Sequence, residues 1–181
     1  MTTAVATTTW NIDASHSQAE FAVRHMMIST VKGQFNQLEG AIEVDEDNPL
    51  TTRVRASIDV ASIDTRDETR DNHLRSDDFF GAEQFPKIAF VSKRIERVDG
   101  ESYKLVGDLT IRDVTREVVL DTEFEGQVQD PWKNQRAGFT ATTQINRKDY
   151  NVSFNAALET GGLVVSDKVK ITLHIEAVRQ A

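Results

Sequence analysis

The sequence predicts an all-β protein, an antiparallel barrel of eight strands interrupted once by a short helical lid. Most of the 181 residues fall into segments in which apolar and polar side chains alternate, the period of a half-buried strand. Short turn sequences separate these segments, and one longer segment, residues 64–90, lacks the period. Closure leaves no exposed edge strands, so a chain of so many consecutive strands is expected to form a closed barrel.

The composition limits the classes of function. With 39% hydrophobic and 28% charged residues, the chain suits one globular domain. A formal net charge of −8 disfavours nucleic acid as a partner, because an acidic surface repels a polyanion. The absence of cysteine excludes disulfides, thiolate catalysis and cysteine-ligated zinc.

The ends and the hydropathy of the chain give expectations about its organisation and location. The first residues are small and polar, which predicts a flexible N-terminus over residues 1–9 and a barrel domain over residues 10–181. The chain contains no run of eighteen apolar residues, so a membrane-spanning helix is not expected. Because the N-terminal residues do not resemble a secretion signal, we expect a cytoplasmic protein.

Alternation assigns side chains to the inside of the barrel. Residues 19–27 place four side chains on one face, and residues 31–45 change phase near Asn36, which predicts a β-bulge. The residues expected to line the interior on these and the later strands are Phe21, Val23, His25, Met27, Phe35, Ala56, Ile58, Phe90, Leu109, Leu120, Phe124 and Phe139.

The predicted lid is charged in its first half and aromatic in its second. Thr65 or Asp64 is expected to cap a short helix, since Glu68 follows Thr65 by three residues as in a capping box. Phe79 and Phe80 are expected at least to plug one end of the core. Because long connections inside compact domains are often lids, they are also expected to close the mouth of a ligand cavity.

A barrel of eight strands is wide enough either to be filled by its own side chains or to hold one small ligand. Several small residues lie on the predicted inner face, and such residues occur both in narrow apolar tunnels and in well-packed cores. The residues are Ala19, Gly33, Ala56, Gly107 and Ala141.

Six segments together resemble the YceI-like family of lipocalin-like, polyisoprenoid-binding proteins, over Trp10 to Ala177. They are TWNIDASHSQAEFAVRHM, SIDTRDETRDNHLRSDDFF, FPKIAFVSK, LVGDLTIRDVTREVVLD, GFTATTQINRKDYNVSF and VKITLHIEA. The resemblance implies an extended, lipocalin-like antiparallel barrel around a hydrophobic tunnel. It also implies a bound isoprenoid lipid, of polyprenyl or isoprenoid-quinone type, with its head group at the mouth.

The sequence departs from the family pattern at two turns. Asp113 and Asn151 stand where the family usually or often has glycine. Asp and Asn are the residues other than glycine that best tolerate a positive φ, so both turns are expected to be retained.

Polar residues near the predicted mouth suggest other chemistry. His25 and His73 could meet there, and Asp71, Asp77 or Asp78 could complete a metal site, although no metal-ligand spacing occurs in the sequence. No serine lies in a nucleophile elbow. Arg75 and Arg24 offer planar donors for a head group.

The leading hypothesis is non-catalytic binding, carriage or sequestration of a long isoprenoid lipid, with no catalytic residue, no metal and no cofactor beyond the lipid. Two alternatives stay open: an enzyme or metal-dependent activity at a His25/His73 mouth site, and a filled-core interaction module. Homodimerisation is expected as a further property.

Overall fold

The structure, a computed structural model, describes residues 6–156 and 164–181. It contains one α-helix, α1 (Glu68–Arg75), in this part of the chain. The strands are β1 (Thr7–Ile12), β2 (Gln18–His25), β3 (Ser29–Phe35), β4 (Leu38–Asp45), β5 (Arg53–Asp59), β6 (Ile63–Asp64), β7 (Lys87–Asp99), β8 (Ser102–Ile111), β9 (Val114–Gln129), β10 (Gln135–Asn146) and β11 (Val165–Arg179).

These strands form one closed antiparallel barrel. The hydrogen-bonded order is β1, β4, β5, β7, β8, β9, β10, β11, and β1 pairs with β11 to complete the ring. β2 continues the path of β1 along β11, β3 continues β4, and β6 continues β5. The wall therefore has eight strand paths, which confirms the predicted eight-stranded lipocalin-like barrel.

Three neighbouring paths are interrupted at the same height of the wall. Short 3-10 turns at Ala14–His16 and Val60–Ser62 separate β1 from β2 and β5 from β6, and Asn36 and Gln37 separate β3 from β4. Asn36 donates its backbone N–H to the carbonyl oxygen of Ser62 over 3.1 Å. The phase change near Asn36 therefore marks a break between two strands, and the predicted bulge within one strand was wrong.

β2 ends earlier than its alternation predicted. The chain leaves the strand at His25 and turns through Met26 and Met27, which have φ values of 49° and 62°. Met27 is 67% exposed in this turn, so its assignment to the barrel interior was wrong. Apolar alternation continued past the strand because the turn itself carries apolar residues.

The lid, residues 65–86, lies between β6 and β7 and contains α1. Asp67 caps the helix by accepting the backbone N–H of Arg70 over 3.0 Å, so the predicted caps Thr65 and Asp64 were wrong. Thr65 is buried and donates both its N–H and its hydroxyl to Oδ1 of Asp71.

Asp113 and Asn151, which replace expected glycines, have φ values of 63° and 60°. Arg112 precedes Asp113 with φ of 50°, and the two form the turn between β8 and β9. The predicted tolerance of both turns is confirmed. β1 begins at Thr7, before the expected first ordered residue Trp10, and residues 1–5 of the predicted flexible end lie outside the described residues.

Candidate functional site

Two apolar clusters close the ends of the barrel. The lid-end cluster consists of Val60, Phe79, Ile88, Ile111, Tyr150 and Val152. The distal cluster consists of Trp10, Ile42, Ala137 and Ala177, with Phe124 and Phe139 packed against it and their ring centroids 5.4 Å apart. The two clusters of buried apolar residues therefore lie at opposite ends of the barrel.

The middle of the barrel is less completely packed. Three of its inward-facing side chains, Ala19, Leu120 and Ala141, are buried. Nine others belong to neither cluster and are only partly buried: Phe21, Val23, Val31, Ala56, Phe90, Leu105, Val118, Ile171 and Leu173. An inward side chain that keeps accessible surface borders space that the described protein atoms do not fill. We call this apolar space between the two clusters the lumen.

Aromatic rings from neighbouring strands fill the space beside two glycines of the inner face. A Cβ atom on Gly33 would lie 2.3 Å from Cζ of Phe21, and one on Gly107 would lie 2.6 Å from Cζ of Phe90. These glycines therefore make room for protein side chains. Ala56, which pairs with Phe90 across the sheet, is a lumen-facing small residue that remains partly accessible.

Apart from Met27, the predicted apolar lining residues take four kinds of position. Phe21, Val23, Ala56 and Phe90 face the lumen, and Leu120 on the same inner face is buried. The remaining ones pack against a cluster: Phe35, Ile58, Phe80 and Leu109 at the lid end, and Phe124 and Phe139 at the distal end. Phe79 belongs to the lid-end cluster itself and so acts as a plug.

A chain of rings joins the lid to the lumen. Phe80 of the lid meets Phe35 edge to face, with centroids 5.9 Å apart, and Phe35 lies 5.6 Å from Phe21. Phe79 packs 5.2 Å from Phe154, which follows β10. Phe79 and Phe80 of the lid thus pack at the lid end of the barrel, as predicted.

The polar residues predicted at the mouth have local structural partners. His73 is bonded through Nε2 to Oδ2 of Asp78 over 2.8 Å, and its ring lies 5.0 Å from that of Phe79. Arg75 donates to the carbonyl oxygens of Ala61 and Ile63, which joins α1 to the wall. Arg75 is therefore engaged in holding the lid to the wall.

His25 stands at the lid-side end of β2 and faces Ser29 and Val165 in the register. Within residues 6–156 and 164–181, no group of three His, Cys, Asp or Glu side chains is placed to hold a metal ion. The geometry of the described residues thus offers the metal-dependent alternative no ligand set.

Sequence reasoning missed a buried arginine that organises the lid end. Arg147 is 4% exposed and donates to the carbonyl oxygens of Val152, Phe154 and Ser166 over 2.6, 2.9 and 2.8 Å. Burial lowers the pKa of Arg147, and nearby Asp167 opposes that shift. Nothing in the spacing of the sequence marks an arginine whose partners are backbone carbonyls.

A second missed network lies outside the barrel, where β1 gives way to β2. Arg136 bonds Asp13, Asp130 and Glu176 over 2.9, 2.7 and 3.2 Å. Hydrogen bonds from Ser15, His16 and Arg136, in decreasing order of effect, hold the pKa of Asp13 well below its usual range. Arg136 is the main cause that lowers the pKa of Asp130 to about 2.

The closed eight-stranded wall, the apolar lumen and the lid together define a lipocalin-like barrel protein. The YceI-like domain family model matches residues 10–177, and the chain belongs to this family. The described part of the chain contains no helix long and apolar enough to cross a bilayer.

Related sequences and structures agree with this assignment. UPF0312 protein SAS2572 of Staphylococcus aureus is 44% identical over 170 residues, which cover 93% of this chain and 96% of that protein. The Campylobacter jejuni YCEI protein superposes with a TM-score of 0.74 at 32% identity, over 87% of this chain and 90% of that chain.

A more distant structure has the same fold. The polyisoprenoid binding domain from Saccharophagus degradans, implicated in plant cell wall breakdown, has a TM-score of 0.72 at 14% identity. The match covers 94% of this chain and 98% of that domain.

Proposed function

We propose that this protein binds a long isoprenoid lipid in the lumen and carries or sequesters it without chemical change. The partly accessible apolar side chains between the two clusters are the observation that carries the proposal. The polyisoprenoid binding domain of the same fold supports it.

The lining suits a long, methyl-branched apolar chain with little polar surface. Phe21, Val23 and Phe90 offer ring and methyl surface along the inner face. Burying apolar carbon contributes about 0.8 kcal/mol per methylene, so a long chain can be retained without directional bonds. Depth of the lumen would then set the chain length that fits.

The proposal is non-catalytic because the polar groups near the lid act as structural anchors. Arg75 and Arg147 donate to backbone carbonyls, and His73 bonds Asp78. The lipid's chemical type, polyprenyl or quinone, and the protein's cytoplasmic location and homodimeric state stay predictions.

Organic extraction of purified protein tests the proposal. Liquid chromatography and mass spectrometry of the extract are expected to detect an isoprenoid at close to one molecule per protein chain. A variant with Ala56→Phe narrows the lumen and is expected to retain less, while Ser57→Phe on the outer face of the same strand is the control. An extract free of isoprenoid, from protein that also fails to bind added geranylgeraniol, would overturn the proposal.

A further inference from the structure

The barrel wall is split between β9 and β10 on the side of the lid. The two strands pair from Gln135 with Gln129 as far as Thr142 with Asp121. Beyond that point β9 and β10 no longer pair with each other. Residues 114–120 pair with β8, and residues 143–146 pair with β11. We call this unpaired stretch the seam.

A cavity of about 340 Å³ lies at the seam. Val118 and Ile145 border it from the inner face of their strands, and Val119 and Gln144 border it from the outer face. Neighbouring residues on a strand point to opposite faces, so a cavity lined by both sets passes into the wall. Tyr150, which belongs to the lid-end cluster, lies at the same cavity.

The two ends of the barrel are more firmly closed than the seam. The distal end is filled by Trp10 and its cluster, and the lid end by Phe79 and its cluster. Arg112 further fastens the lid through the carbonyl oxygens of Asp77 and Phe79. Separating the wall at the seam would break none of these bonds and no strand-to-strand ladder. It would break one hydrogen bond across the seam, from Arg116 on β9 to the carbonyl oxygen of Asp149 after β10.

The seam also carries a donor for a polar group. Arg116 lies on the inner phase of β9, opposite Leu109, and yet its side chain is exposed at the cavity. Its Nε donates to the carbonyl oxygen of Asp149 over 2.9 Å, and its Nη atoms have no hydrogen-bond partner among the described residues. Burial raises the pKa of the Tyr150 hydroxyl above its usual value.

We propose that the seam is the lateral portal through which an isoprenoid enters and leaves the lumen, and that Arg116 donates to acceptor oxygens on its head group. This inference rests on the proposed function. Guanidinium is suited to this role because its planar donors match phosphate and carbonyl oxygens. The apolar chain would pass between Val118 and Ile145, with the head group left at the cavity.

Bridging the seam tests the portal. The chain has no cysteine, so the pair Val119→Cys and Gln144→Cys can be joined across the seam by a reductively cleavable bis-maleimide. Both positions are exposed on the outer face, which favours folding of the variant. The matched control joins Glu123→Cys and Thr140→Cys, residues that already face each other in the β9–β10 ladder.

Transfer of tritiated geranylgeraniol from each protein to phosphatidylcholine vesicles is then followed over time. The seam bridge is expected to slow transfer about tenfold or more, cleavage to restore it, and the control bridge to leave it unchanged. Equal rates before and after cleavage would overturn the portal while leaving the proposed function intact. A wild-type protein that binds no geranylgeraniol would overturn both.

A second measurement tests the role of Arg116. Arg116→Met is expected to weaken binding of geranylgeranyl phosphate about tenfold and that of geranylgeraniol much less, since the phosphate has more acceptor oxygens. Arg94→Met, at an exposed arginine of β7 paired with Glu96, is the control. Equal losses for the two lipids would overturn the head-group role of Arg116.

Discussion

Arg112 donates from Nη1 to the carbonyl oxygen of Phe79 over 2.6 Å, joining the β8–β9 turn to the lid. The same nitrogen donates to the carbonyl oxygen of Asp77 over 3.1 Å, and the guanidinium carbon lies 5.2 Å from the ring centroid of Phe85. One turn residue thus holds the aromatic half of the lid at three points.

Replacing Arg112 by Met is expected to loosen the lid without unfolding the barrel. Hydrogen bonds from a charged donor contribute about 1.5–3 kcal/mol, and the variant loses two carbonyl contacts and the stacking on Phe85. Amide hydrogen exchange should therefore accelerate in residues 76–86 and stay unchanged in β8. Unchanged protection of the lid amides would contradict this anchoring role.

Arg147→Met is expected to lower the free energy of unfolding by about 3 kcal/mol, because it leaves buried carbonyl oxygens without donors. Arg147→Lys should recover only part of the loss, because a single ammonium nitrogen cannot reach carbonyl oxygens that the guanidinium binds through separate nitrogens. Urea unfolding monitored by circular dichroism measures both. A loss within error of zero for the methionine variant would show that water replaces these bonds.

Stability is expected to fall at acid pH through the Arg136 network. Folding lowers the pKa values of Asp13 and Asp130. Their contribution to folding stability is therefore complete above the pKa of an unfolded aspartate, about 3.9. It is then lost as the pH falls toward about 2, the folded pKa of Asp130. Thermal unfolding of wild type and Arg136→Met between these pH values measures the difference.

The Arg136→Met protein should be less stable than wild type at pH 6, and the gap should shrink as the pH falls. A gap that stays constant through this range would mean that the two carboxylates are not linked to folding through Arg136. Glu96→Gln, which changes a carboxylate of an exposed pair on β7, is the charge control.

Adding volume at Ala56 is expected to shorten the longest isoprenoid that the protein retains. Ala56→Leu places extra carbon in the lumen beside Phe90, whereas Ser57→Leu places it outside the same strand. Binding of a series of prenyl alcohols of increasing length compares the two. If both variants retain the same lengths as wild type, chain length is set elsewhere.

Much of the fold could be predicted from local pattern. Alternation predicted the strand faces correctly in β9, where Leu120 and Phe124 share the inner side with Val118. The positive φ values at Asp113 and Asn151 followed from the tolerance of their side chains. These features depend on neighbours in sequence, which is why a single chain reveals them.

The failures have a different origin. Met27 continued the alternation of β2, but the strand ended where its partner β11 left the register at Val165. Likewise Thr65 resembled a helix cap, yet it is buried against Asp71, and Asp67 caps α1. Both outcomes depend on contacts formed only in the folded chain.

The interior could be predicted only in part. Periodicity predicted that Phe21, Val23 and Phe90 lie on the inner face of the barrel. It did not predict the two separate clusters of buried residues. In sequence, Gly33 and Gly107 were compatible with either a tunnel or a packed core, and rings from neighbouring strands fill the space beside both. Whether a small residue leaves a void depends on the partner across the sheet.

Electron density inside the barrel gives the most direct test of the central claim. A crystal of the protein grown with geranylgeraniol is expected to contain a continuous thread of density between the lid-end and distal clusters, in contact with Phe21, Val23 and Phe90. Density confined to the outer surface, with the lumen filled by the protein's own side chains, would contradict the claim.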